Sequence, residues 1–234
     1  MRDGFTAVVA ARNEGEHLPA TLGALLQLPN LSRIVVADDG STDDTAPLAR
    51  AGGAEVVSLP SPKGKGAALR AGIAIARQQP SSRPDRFTQP LLLADADLGS
   101  SAAHLLALLE ALDEDHPACV ATFPEGVAAG GGFGLVKDLS RRAIARRTGF
   151  TPLEPLSGQR ALLPHALDAL PGIAPGFGAE VGMTLDLLSA GITPLEVPLP
   201  LAHRATGKTL RGFAHRARQG LDVLRALRGD RIPW

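Results

Sequence analysis

Residues 90–101 read PLLLADADLGSS. Three leucines and an alanine run unbroken into Asp95-Ala96-Asp97, then into a glycine and two serines. A short apolar run bounded by turn residues reads as a strand buried on both faces. Carboxylates beside a core are costly unless a cation or a donor meets them. Either the aspartates cap the next helix, or they hold a cation that the rest of the chain must explain. Residues two apart in an extended segment point to one side, so Asp95 and Asp97 can offer oxygens to one small hard cation, Mg2+ or Mn2+. The cap reading has rivals downstream, where Ser100 or Ser101 suits the leucine-rich helix expected to run to Leu112.

Four further runs resemble this one: Thr6 to Ala10, Arg33 to Ala37, Glu55 to Leu59 and Cys119 to Phe123. Helical patterns lie between them, Glu16 to Leu28 and Lys65 to Arg77 among them. Strands alternating with helices predict an α/β fold with a mostly parallel sheet and helices on both faces. Right-handed crossovers then bring every strand's C-terminal end to one edge, where open α/β sheets bind ligands. That edge receives Ala11-Arg12-Asn13-Glu14, Asp38-Asp39-Gly40-Ser41 and Asp95-Ala96-Asp97. Ser41 or Thr42 is a good helix cap, but caps do not account for both aspartates of each pair.

The second half is less regular. A glycine-rich loop, residues 128–134, precedes a basic helix with Arg141, Arg142, Arg146 and Arg147. PGIAPGFGAE (171–180) leads into an apolar helix ending near Gly191, and a strand follows from Pro194 to Pro198. His203-Arg204 comes next, then a basic amphipathic tail helix from about Lys208 to Arg228. Residues 1–132 carry 10 Lys/Arg against 16 Asp/Glu, and residues 133–234 carry 14 against 8, so a net charge of zero hides two halves of opposite sign. Such a split suggests that the two halves meet different chemistry, and no nucleic-acid partner is expected. The single cysteine, Cys119, excludes an internal disulfide and any cysteine-based zinc site, and fits a reducing compartment. No apolar run reaches 18 residues and Met1-Arg2-Asp3 opens no signal peptide, so a soluble, cytoplasmic protein is expected.

Lys63-Gly64-Lys65-Gly66 follows a strand and opens a helix, which suits an anion at a helix N-terminus or a plain glycine turn with solvated lysines. It lacks Walker A spacing. His203 alone reads as a structural histidine or a metal ligand, and Glu180 as a helix-terminus carboxylate or an acceptor for a hydroxyl.

Taken together, VVAARNEGEHL, IVVADDGSTDDT, PKGKGAALRAGI and LLLADADLG resemble the family 2 type glycosyltransferases of the GT-A fold, in order and spacing, over about the first 120 residues. The resemblance implies a nucleotide-sugar-binding half, 1–123, and an acceptor-side half with the basic tail helix, 124–234, in one GT-A domain. It implies donor contacts from Ala11, Glu14, Asp39, Lys65 and Asp95, with Asp38 a weaker neighbour of the ribose and base. Lys65 falls on the diphosphate side, Asp95 is aimed at ribose or sugar, and Asp97 is the metal ligand. GGGFGLVKDLSRRAI, PLSGQRAL, APGFGAEVG and HRATG resemble, in order, segments of the glucosyl-3-phosphoglycerate and mannosyl-3-phosphoglycerate synthases. That likeness implies His203 as the second metal ligand, Glu180 facing the donor sugar, and Ser157, Gly158, Gln159 and Arg160 on the acceptor side with Arg204. It has departures: Phe133 stands where those synthases carry an acceptor-phosphate arginine, and Ala205 where they carry asparagine.

The expected activity is Mg2+- or Mn2+-dependent transfer of a sugar, glucose from UDP-glucose, to an anionic acceptor. That acceptor is a phosphorylated small acid or a polyprenyl phosphate. Glu180 orients the sugar or, in an inverting enzyme, takes the acceptor proton. The tail helix, with Leu210, Phe213, Leu221 and Leu224 opposite its arginines, packs on the domain, joins a homodimer or lies on a membrane surface. Two other classes compete. A sugar-phosphate nucleotidyltransferase expects a glycine-rich, arginine-containing loop after the first strand, where AARNEGEHL has no glycine before Gly15. A nucleotide-sugar-binding regulator without turnover has no need of Asp97, His203 and Glu180 intact.

Overall fold

The computed structural model describes residues 4–78, 88–123, 133–201, 222 and 225–234. Each of the five expected runs in the first half is a strand: β1 (Phe5–Ala11), β2 (Leu31–Asp38), β3 (Glu55–Ser58), β4 (Leu91–Asp95) and β5 (Ala118–Thr122). Helices α1 (Leu18–Leu26), α2 (Thr45–Ala51) and α3 (Lys65–Arg77) alternate with the first four strands. Helices α5 (Phe133–Thr148), α6 (Pro164–Asp168) and α7 (Ala179–Ser189) follow α4 (Leu106–Glu110), and strand β8 covers Leu195–Pro198.

Three strands escaped the sequence reading, one in the main sheet and two in a separate pair. Strand β6 (Arg160–Leu162) lies in the PLSGQRAL segment and is inserted between β4 and β5, antiparallel to both. The sheet order is therefore β3-β2-β1-β4-β6-β5-β8, with β6 alone reversed. A separate two-stranded pair joins β7 (Gly172–Ile173) to β9 (Ile232–Pro233). Strand β4 sits between β1 and β6, which is why its apolar run does not alternate. Leu92 and Ala94 enter one core with Leu18, Leu22 and Leu25 of α1, while Leu91 and Leu93 enter the other with Leu69 and Ile73 of α3 and Met183 and Leu187 of α7. Each such leucine contributes roughly 2 kcal/mol by leaving water.

Two expected caps are absent. The leucine-rich helix begins as a 3-10 turn over Gly99–Leu105 and becomes α-helical only in α4, because Ser101 donates back to the Leu98 carbonyl (2.6 Å) instead of capping. Helix α2 starts after Asp44, and Ser41 Oγ accepts from the Asn13 backbone N–H (2.9 Å). The glycine-rich loop at 128–132 and most of the expected tail helix lie outside the described residues. Of the tail, Asp222 and residues 225–228 are helical. Among the described residues no helix is long and apolar enough to cross a membrane.

Candidate active site

The parallel strands end on a common edge, and the loops there are tied to one another. Asn13 takes a left-handed backbone (φ 53°), and its side-chain oxygen accepts from the Thr42 N–H (2.9 Å). Glu14 N donates to Thr45 Oγ1 (2.8 Å) and Gly15 N to Asp43 Oδ2 (3.0 Å). The loops after β1 and β2 therefore form one wall. Ala11 is buried at its base, and its carbonyl accepts from the Asp39 N–H (2.9 Å).

The helix start at Lys63-Gly64 already holds an anion, the chain's own Asp39. Its buried carboxylate accepts from Lys63 N (2.7 Å) and Gly64 N (2.9 Å). Those donors are thus not open to a ligand phosphate while the Asp39 contact stands. Asp38 is buried too, and accepts from Ser41 N (2.9 Å).

The two aspartates that end β4 divide their work. Asp95 Oδ1 pairs with Lys65 Nζ (2.6 Å), and Asp95 Oδ2 accepts from Gln159 Nε2 (2.7 Å). Lys65 in turn meets Glu180 Oε1 (2.7 Å). Burial alone would lower the Lys65 pKa, but the charges of Asp95 and then Glu180, with their hydrogen bonds, carry it above its ordinary value. Asp97 is half-buried and makes no hydrogen bond or ion pair with the described residues. Its peptide is nevertheless held, because buried Thr21 donates to the Ala96 carbonyl (2.7 Å) and accepts from Gly99 N (2.8 Å).

The second half supplies the floor. Gly158 packs against the lysine–aspartate pair, where any Cβ would collide with Lys65 Nζ. Gln159 is fully buried and fixed by Ser157 Oγ (3.1 Å) as well as by Asp95. Arg160, 1% exposed, lies beneath the site: Nε donates to the Ser157 carbonyl (3.0 Å) and one terminal nitrogen to Thr184 Oγ1 (3.0 Å). Thr184 Oγ1 donates to the Glu180 carbonyl (3.0 Å), closing a ring of contacts through Arg160, Ser157, Gln159, Asp95, Lys65 and Glu180. Burial draws the Arg160 pKa down to about 10 against the opposing charges of Glu180 and Glu196, so the guanidinium stays cationic at neutral pH.

Lys65, Asp95, Glu180, Gly158 and Gln159 are thus brought together. Asp97 stands one residue beyond Asp95, and Glu14 and Asp39 belong to the adjoining wall. His203 and Arg204 lie outside the described residues. Thr21 and Thr184 were missed, and their signal was a polar residue on the buried face of an apolar helix.

Residues 6–158 match the profile of glycosyl transferase family 2. The chain belongs to this family. Among family 2 relatives, an uncharacterised glycosyltransferase of Mycobacterium tuberculosis is 39% identical over 113 residues, which cover 48% of this chain and 45% of that one. The glucosyl-3-phosphoglycerate synthase of the same organism is 30% identical over 201 residues, 78% of this chain and 60% of its own. This chain therefore spans about half to three-fifths of these relatives' length. The crystal structure of that synthase with Mn2+, UDP-glucose and phosphoglyceric acid superposes with a TM-score of 0.71 at 26% identity, covering 97% of this chain and 80% of the other. The fold is GT-A, as the motif order implied.

Proposed function

We propose that this family 2 chain transfers a sugar, glucose in the first instance, from a nucleotide-diphosphate sugar to an anionic acceptor. The observation that carries this reading is the Asp95–Lys65–Glu180 cluster at the sheet's C-terminal edge, with the Asp97 carboxylate, which has no partner among the described residues, one residue beyond Asp95. A sugar is a set of hydroxyls, and buried carboxylates with a lysine between them are suited to orient hydroxyls and a diphosphate together. The solved relative's UDP-glucose and Mn2+ support UDP-glucose and Mn2+ or Mg2+ for this chain.

Mg2+ and Mn2+ are commonly held by one or two protein ligands, with water and phosphate oxygens completing the coordination. Asp97 supplies a hard oxygen donor, and His203 would be its partner. The ion, when bound, would neutralise charge on the departing diphosphate. Lys65 would turn from the carboxylates toward the diphosphate, freeing Asp95 and Glu180 for sugar hydroxyls. Glu180 shares its lysine with Asp95, which supports an orienting role on the donor side. The acceptor is a phosphorylated small acid or a polyprenyl phosphate, and Arg204 would belong to that side, whereas Gln159 and Arg160 are buried beneath the Asp95–Lys65–Glu180 cluster. Phe133 and Ala205 replace the groups expected to grip 3-phosphoglycerate, so that acceptor should serve poorly.

The test is nucleoside diphosphate release from a panel of nucleotide sugars, with Mn2+, Mg2+ or EDTA and with candidate acceptors. UDP-glucose turnover that EDTA and Asp97→Ala abolish is expected. Turnover indifferent to both would overturn the metal role, and efficient transfer to 3-phosphoglycerate would overturn the acceptor reading.

A further inference from the structure

The residue that braces the Glu180 turn comes from the far end of the chain. Helix α7 is fed by the 3-10 turn Gly176–Gly178, which begins with Gly176 in a left-handed conformation (φ +57°). On one side of that turn lies the start of α3. A Cβ at Gly64 would sit 3.1 Å from the Gly176 Cα, and one at Gly66 would strike the Ala174 carbonyl. On the other side lies Asp222. A Cβ at Gly176 would collide with the Asp222 carboxylate, and one at Gly178 would come within 2.5 Å of the Asp222 carbonyl oxygen. Asp222 is 6% exposed and pairs with Arg225 (3.5 Å), which is largely in solvent. The turn is therefore held between the helix that carries Lys65 and a carboxylate from the tail, and Glu180 follows two residues after Gly178.

We infer that Asp222 is a positioning residue. It fixes the Gly176–Gly178 turn and through it the Glu180 carboxylate and its Lys65 partner, so the C-terminal segment helps set the donor site. This rests on Glu180 acting on the donor sugar, as proposed above. The tail has other anchors, which supply the control. Arg231 grips Asp186 of α7 with two hydrogen bonds (2.5 and 2.7 Å) and makes no hydrogen bond to the turn, whereas buried Ala226 packs on Gly178, where a Cβ would lie 2.9 Å from its own.

The experiment compares the wild-type chain with Asp222→Ala and Arg231→Ala by amide hydrogen exchange, thermal melting and steady-state kinetics with UDP-glucose. Asp222→Ala should speed exchange over residues 176–180 and lower kcat on the order of 10- to 100-fold, the scale of a small misplacement of a site group. Arg231→Ala should melt earlier while kcat and exchange at the turn stay near wild type. Unchanged exchange at the turn in Asp222→Ala, or an equal kcat loss in Arg231→Ala, overturns the inference. If the wild type turns over no nucleotide sugar, the functional reading fails instead, and the exchange data alone decide whether Asp222 holds the turn.

Discussion

The two walls of the site are built by different rules. The first-half wall comes from neighbouring loops that end parallel strands and are tied by short contacts, Asn13 to Thr42 and Glu14 to Thr45. The floor comes from side chains that hold one another, with Gln159 reaching Asp95 across 64 positions and Arg160 joining the Ser157 carbonyl to Thr184 beneath it. Parallel topology alone brings strand ends together, so such a wall can tolerate changes in any one contact. The floor has no such guarantee, because each member is placed by another.

Lys65 is where the two rules meet, and removing it should break the comparison most severely. Lys65→Met leaves Asp95 and Glu180 facing each other without a cation, at a cost of about 3–5 kcal/mol. Chemical denaturation and UDP-glucose turnover should both show the loss. The pH dependence sharpens this. The folded-state pKa of Lys65 is raised, so its contribution is fully present below the ordinary lysine value of 10.5 and disappears only as pH rises through the raised one. The stability gap between wild type and Lys65→Met should stay level from neutrality to that point and shrink above it.

Arg160→Met comes next. It strips donors from the Ser157 carbonyl and Thr184 without opening a large hole, so a loss of roughly 1–3 kcal/mol is expected. If the floor is a linked set, the donor KM should rise as well, although Arg160 is too buried to touch a ligand. A lower melting temperature with KM unchanged would show that the ring is only scaffolding. Gln159→Leu should be milder in stability, about 1 kcal/mol, yet raise the donor KM by freeing Asp95. Thr45→Val, in the first-half wall, should be the smallest effect, below about 1 kcal/mol, with the kinetics of the Lys65 cluster unchanged.

This division also marks what the sequence made legible. The five first-half strands and Lys65–Arg77 follow from hydrophobic period and turn chemistry, and Asp95, Lys65 and Glu180 were named from motif order. Strand β6 was not visible, because three buried residues carry no period and the segment was read for its polar groups. For the same reason Gln159 and Arg160 read as acceptor-side residues, whereas they are buried supports of Asp95 and Glu180. The Lys63-Gly64 turn read as open to an anion because nothing in the spacing says that Asp39 fills it. Asp222 left one trace, a lone acid in a basic tail, and local pattern could not say that it lies against Gly176.

The reversed strand has a consequence for how the protein is made. A ribosome that has released residues 1–123 has delivered β1 to β5, but β5 has no strand to pair with until β6 emerges some 40 residues later. Until then β4 presents an open apolar edge to solvent or to a second nascent chain. A chain stopped at residue 123 should therefore collect in inclusion bodies, while one stopped after β8 should keep the seven-stranded sheet.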